Sequence, residues 1–311
     1  MADCSRRSRL AAALLALAGN VGGWKLSAAE GESRFIPAYF EEGGVNAFIL
    51  FPWGTGRAKE IALEGGLGGV NLIAFGLDGK SAYLQRPSAW VVHQSDSLIK
   101  VEFSPTRQSP VSGSEGMGNI LSLTVSPASG RIFVWTRGGR DHPCGAYEID
   151  PGAGTNRLLR AGNAPTCRDG LGRVSPDGKE LLSSDGVHLN LINLETGAQR
   201  PLGAGLGSWS PDGRWIAVAG HGRIVLIDAR NSSHRKKLGA SGVNNDLFWS
   251  PDSRLLLFAT QEGRCSFLFF GGDSDSLEVV DVETGKRHAI RSAHCAVGRP
   301  EVGWVDPEAV R

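Results

Sequence analysis

A turn motif of six or seven residues recurs along the chain and constrains the fold more than any other feature. It reads Phe75-Gly-Leu-Asp-Gly-Lys80, Val125-Ser-Pro-Ala-Ser-Gly-Arg131, Val174-Ser-Pro-Asp-Gly-Lys179, Trp209-Ser-Pro-Asp-Gly-Arg214 and Trp249-Ser-Pro-Asp-Ser-Arg254, with a degenerate copy, Trp304-Val-Asp-Pro-Glu308, near the end. Proline fixes φ at the first corner of such a turn, and Asp followed by Gly tolerates the tight bend and positive φ of a hairpin. Each full copy precedes a β-rich run, at 81–84, 132–136, 180–183, 215–219 and 255–260. A second run follows at 97–103, 146–149, 189–194, 224–227 and 277–282, often ending in a turn such as Glu195-Thr-Gly197 or Glu283-Thr-Gly285. A last short strand then leads to the next copy. The unit is therefore four strands, A to D, with a tight A–B hairpin. A single sheet of this kind cannot bury both faces. Radial stacking of several sheets buries them and leaves only short edges, the arrangement of a β-propeller.

The ends of the chain set the expected count. Five full units run from about Gly69 to Ser292. The segment 301–305 reads as an inner strand with nothing after it, and 35–40, 47–51 and 59–63 as three strands with no inner strand before them. Together they predict an all-β, six-bladed propeller whose last blade is closed by the N- and C-terminal strands.

Residues 1–29 read as a signal peptide and 30–311 as one domain. Arg6, Arg7 and Arg9 precede an apolar run at 10–18, and Ser27-Ala28-Ala29 offers small residues for cleavage. The run is too short to span a bilayer, and no later segment is long and apolar enough to do so. The expected location is the periplasm or the cell exterior. Lys+Arg number 33 against 32 Asp+Glu, so the chain lacks the basic footprint of a nucleic-acid binder.

The Trp-Ser-Pro-Asp-Gly-Arg/Lys units resemble the repeats of TolB-like propellers, relatives of WD-type repeats, over nearly the whole mature chain. The resemblance implies a propeller that holds proteins or peptides on the face around its central tunnel. TolB itself carries an N-terminal α/β domain that this chain lacks.

In a propeller the D–A and B–C connections share one face, the top. Four cysteines follow the leader, and an even number in an exported chain is compatible with two disulfides. Cys144 and Cys167 fall in a B–C and the following D–A connection, as do Cys265 and Cys295 in the fifth unit. The expected bridges are Cys144–Cys167 and Cys265–Cys295. Long B–C insertions supply candidate partner-binding residues: Trp90 and His93, His142, and Phe267, Phe269 and Phe270. Three Phe in a loop cost solubility unless they pack on something, either a partner or the neighbouring blade.

Asn71, Asn119, Asp169, Asn245, Asp246 and Glu301 fall near the starts of inner strands, at the tunnel mouth. One Glu, two Asp and several Asn around an axis suit Ca²⁺ through oxygen ligands. They lie out of register, however, and such residues also satisfy loop backbone. Asp273-Ser-Asp275-Ser-Leu-Glu278 begins like a calcium loop but lacks the central Gly and closing Glu, and reads as a solvated loop. There is no Gly-x-Ser-x-Gly elbow, and the glycine-rich stretches precede strands rather than helices. Two functions follow. The first is an exported, non-catalytic propeller, without a cofactor, that binds a protein or peptide through its top-face loops and tunnel mouth. The alternative is a Ca²⁺-dependent, six-bladed hydrolase or lactonase with its site at the tunnel mouth.

Overall fold

A computed structural model describes residues 35–41, 47–50, 59–62, 71–85, 97–139, 141–163, 167, 171–185, 187–220, 222–239, 243–267, 270–295 and 301–310. Within these, the backbone alone is described at 39–41, 47–49, 59–62, 71–72, 243–246, 261–267, 270–276, 291–295, 301–302 and 310.

The chain enters with β1 (Ile36–Glu41), β2 (Ala47–Leu50) and β3 (Lys59–Ala62). Five antiparallel four-stranded blades follow, each a single run of chain. Blade 1 is β4 (Asn71–Phe75), β5 (Ser81–Gln85), β6 (Leu98–Phe103) and β7 (Thr106–Pro110). Blade 2 is β8 (Ile120–Val125), β9 (Ile132–Thr136), β10 (Gly145–Asp150) and β11 (Thr155–Ala161). Blade 3 is β12 (Leu171–Val174), β13 (Glu180–Ser184), β14 (His188–Asn193) and β15 (Gln199–Ala204). Blade 4 is β16 (Leu206–Trp209), β17 (Trp215–Gly220), β18 (Arg223–Asp228) and β19 (Arg235–Leu238). Blade 5 is β20 (Val243–Trp249), β21 (Leu255–Phe267), β22 (Phe270–Asp281) and β23 (Arg287–Cys295).

The expectation of six blades is corrected to five blades of this kind. Five full turn motifs produce five A–B hairpins, and the degenerate copy at Trp304 has no B strand after it. Its strand, β24 (Glu301–Val305), instead pairs with β1, with Phe40 opposite Glu301 and Ile36 opposite Val305. That sheet runs β24-β1-β2-β3 and is assembled from opposite ends of the sequence, unlike the five blades. β24 touches β20 on one side and β4 on the other. A 3-10 turn, Pro307–Val310, ends the description, and Asp306 N donates to Gly79 O at 2.7 Å.

The turn motif has a defined chemistry. Ser175, Ser210 and Ser250 are buried, and each hydroxyl donates to the Asp two residues on, at 2.6, 2.5 and 2.5 Å. Each serine oxygen in turn accepts the backbone N–H five residues on, at 2.8–2.9 Å. The hairpin thus satisfies its own buried polar groups, as burial demands. Trp209, Trp249 and Trp304 fasten each sheet to the one before: their Nε1–H groups donate to Arg173 O, Ser208 O and Phe248 O, all at 3.1 Å. The core lies between sheets rather than within one. Ala217, Ala219 and Leu226 of blade 4 pack with Leu247, Trp249 and Phe258 of blade 5. Ile36, Leu50 and Val305 pack with Leu84, Val101 and Phe103 of blade 1.

Candidate partner-binding face

The B–C and D–A connections lie at one end of the blades, and blade 2 shows how they are held. Its B–C connection, 137–144, folds back over the incoming connection 111–119. Gly118 and Gly138 form an isolated bridge, and Arg137 N donates to Asn119 O at 2.9 Å. Thr136 is fully buried; its hydroxyl donates to Met117 O at 2.6 Å and accepts Gly138 N–H at 3.0 Å. Gln85 reaches across from blade 1. Its Nε2 donates to Gly118 O at 2.6 Å and its Oε1 accepts Ile120 N–H at 2.9 Å. The amide thus stands in for a strand partner where the glycines bend the chain away from the ladder.

His142 is half-buried in the same fold-back. Its Nδ1 lies 3.2 Å from Gly116 O and its Nε2 3.3 Å from Asn156 Oδ1, while its ring meets Tyr147 edge-on at 5.5 Å. Tyr147 OH donates to Pro143 O at 2.8 Å, and Asn156 Nδ2 donates to Gly113 O at 2.9 Å. His142 therefore knits two connections together, a role that its position in an insertion does not reveal. Cys144 and Cys167 are joined by a disulfide, with Cα atoms 5.9 Å apart, which ties this connection to the one entering blade 3. A Cβ on Gly162 would lie 2.5 Å from Cys167 Sγ and 2.7 Å from Cys144 Sγ, so only glycine fits beside the bridge.

In blade 3 the B–C connection is short. Exposed Asp185 accepts the backbone N–H groups of Val187 and His188 at 2.9 and 2.6 Å and contacts His188 Nδ1 at 3.2 Å. These hydrogen bonds hold its carboxyl down at about 2.

Blade 5 departs most from the sequence-based expectation. The segment 265–273 is a paired hairpin rather than an open loop. Cys265 lies opposite Gly272, Ser266 opposite Gly271 and Phe267 opposite Phe270. The stretch 273–278, read as a solvated loop, belongs to β22 throughout, and Glu278 receives Nε–H of Arg287 at 2.8 Å. β20 accompanies β21 only as far as Thr260, and β23 accompanies β22 only to Ser274. β21 thus runs seven residues beyond β20, Gln261 to Phe267, and its last four, Arg264 to Phe267, pair with β22 where β23 has ended as well. At about 3.3 Å per residue this two-stranded arm extends about 13 Å.

The remaining candidates are placed as follows. Trp90, His93, Asp169 and Phe269 lie outside the described residues, as does the segment 1–29. For Asn71, Asn245, Asp246, Glu301, Phe267, Phe270, Cys265 and Cys295 the side chains lie outside the described residues, and with them the Cys265–Cys295 pairing. By backbone, Asn71 and Glu301 begin β4 and β24, and exposed Asn119 immediately precedes β8. Asn245 and Asp246 fall inside β20, within a register shift between Val243 and Leu247. Among the described residues no group of three His, Cys, Asp or Glu gathers as a metal ion requires. Among them also, no helix is long and apolar enough to cross a membrane.

Comparison with known proteins identifies the fold. The structure of putative TolB from Agrobacterium tumefaciens superposes with a TM-score of 0.55 at 15% identity, over 85% of this chain and 92% of that one. A chain of a nidogen/laminin complex superposes with a TM-score of 0.53 at 12% identity, over 87% and 97%. The fold is an all-β propeller with TolB-like structural neighbours. In sequence, the chain is 26% identical over 206 residues to Protein HIR1 of Yarrowia lipolytica, which covers 65% of this chain and 16% of that protein. It is 28% identical over 119 residues to Target of rapamycin complex subunit wat1 of Schizosaccharomyces pombe, over 35% and 38%. The chain therefore spans well under half the length of these curated relatives. No protein-family model matches it.

Proposed function

We propose that this chain is an exported, non-catalytic propeller that holds a protein or peptide partner on its B–C and D–A face, with the blade 5 arm as the principal contact. The arm carries the reading. Four residue pairs of this hairpin, Arg264 to Phe267 opposite Phe270 to Asp273, stand beyond both neighbouring strands of the blade. The hairpin presents two strand edges there, and its sequence carries Phe267, Phe269 and Phe270. Extended partners add to such edges through main-chain hydrogen bonds and gain specificity from side chains. The fold-back of blade 2 supports the reading from the other side. Buried Thr136, the disulfide and Gln85 from blade 1 fix a platform beside which a partner binds without first ordering the loops. Export is supported by the basic and apolar leader and by the Cys144–Cys167 bridge, which persists in an oxidising compartment. The reading needs no cofactor.

The test is Phe269→Ser with Phe270→Ser. Photo-crosslinking in cells from a probe at Leu268 is expected to yield one dominant adduct in the parent chain and to lose it in the double variant, while the urea unfolding midpoint stays put. An undiminished adduct refutes the arm as the contact.

A further inference from the structure

The charge of this chain is unevenly placed. Over the whole sequence, cations exceed anions by one. The blade 4 region 205–239 alone carries Arg214, Arg223, Arg230, Arg235, Lys236 and Lys237 against Asp212 and Asp228. Register and contacts show where the outer-strand cations point. Lys236 Nζ donates to Val282 O at 2.9 Å and Glu283 O at 2.6 Å, so that side chain faces blade 5. Alternation along β19 sends Arg235 and Lys237 to the opposite face. Their register partners, Ile227 and Val225, pack there with Leu182 and Leu189 of blade 3. From blade 3, Arg200 Nη2 donates to Ala229 O at 3.0 Å, while Arg235 Nε donates to Ser232 O at 3.1 Å.

Two guanidinium groups from different blades are thus oriented on one turn, 229–232, each through one of its five N–H donors. Arg230, exposed, sits within that turn, and Lys237 follows on β19. The carboxylates facing the cluster are engaged. Asp228 accepts the N–H groups of Arg230 and Asn231 and lies 3.6 Å from His234, and half-buried Glu180 interacts with Arg200.

We infer that this outer rim between blades 3 and 4, around Arg200, Arg230, Arg235 and Lys237, is a second docking surface, for an acidic segment of a protein partner. Guanidinium forks match carboxylates in pairs, and a pre-oriented fork loses less freedom on binding. The cluster is confined to one turn of a near-neutral chain. That suits a few carboxylates, whereas nucleic acid calls for a broad basic stripe. The turn is a C–D connection, at the opposite end of the blades from the arm, so this surface is separate from the one proposed above.

The test titrates the full chain with a fluorescein-labelled peptide of alternating Asp, Glu and Leu, and in parallel with a single-stranded DNA of equal length. Arg230→Glu with Arg235→Glu is expected to weaken peptide binding about tenfold or more. Phe269→Ser with Phe270→Ser is expected to leave it unchanged, which separates this surface from the arm. Carbodiimide coupling of the bound peptide is expected to fall on Lys237. Equal binding by the charge-reversed chain, coupling spread over Lys80, Lys179 and Lys286, or tighter binding of the DNA overturns the inference. Should the reversal prevent folding, Arg230→Gln with Arg235→Gln gives the same reading.

Discussion

Blades 2 and 5 both enlarge the connection between their second and third strands, and they do so in opposite ways. In blade 2 the extra residues turn back onto the neighbouring connection. There Thr136, Gln85 and His142 satisfy the loop backbone, and the Cys144–Cys167 bridge ties the next connection on. In blade 5 the extra residues pair with each other and run outward. A loop that finds its hydrogen bonds on the body becomes part of the body. A loop that finds them within itself is free to reach. Blade 3 shows a third case, a short turn closed by one side chain, Asp185. Scaffold and recognition element thus occupy equivalent positions in the repeat and differ in where their backbone groups are satisfied.

Removing the Cys144–Cys167 bridge tests the scaffold half most severely. A bridge of 23 residues separation contributes about 3 kcal/mol in the chain-entropy account. Urea unfolding of Cys144→Ser with Cys167→Ser is expected to show a loss of that order, whereas the arm double variant leaves the unfolding free energy within about 0.5 kcal/mol. Equal losses would erase the distinction between the two blades. Next in size is Gln85→Leu. It leaves Gly118 O and Ile120 N–H without their partner in a buried site, at a cost of about 2 kcal/mol. Smallest is an acid effect at Asp185. Its carboxyl is held below its unfolded value, so its contribution is present above about pH 4 and is lost as pH falls toward 2. Asp185→Asn is expected to flatten that part of the stability profile in acid urea titrations. An unchanged slope would show that the blade 3 turn does not depend on the charge.

The repeat was legible because its chemistry is local. Ser, Pro, Asp and Gly within one hairpin carry the whole turn, and the Trp before them marks the inner strand. Even the odd copy obeys it: Ser253 replaces Gly at φ 61° and accepts Asp212 N–H from the adjacent turn at 3.1 Å. The four strands outside the five full units read only as short β-rich segments, and the last alone carries a copy of the motif, the degenerate Trp304-Val-Asp-Pro-Glu308. The candidate face was legible only in part. Gln85 looks in sequence like any polar residue ending a strand, and its two bonds are made 33 and 35 residues away. The stretch 261–276 mixes Gly, Ser and Asp with Phe, so composition suggested a loop, whereas the ladder across β21 and β22 makes it strand. In the sequence the basic residues at 230 and 235–237 are masked by a total charge near zero. Only the fold brings Arg200 beside them.

The most direct measurement is a pair of readings on the chain carrying Phe269→Ser and Phe270→Ser: its urea midpoint, and its adduct yield from a photo-crosslinking probe at Leu268. An unchanged midpoint with the adduct lost is the predicted result, and it marks the arm as a recognition element on an independent scaffold. A lowered midpoint, or an adduct as strong as that of the parent chain, contradicts it.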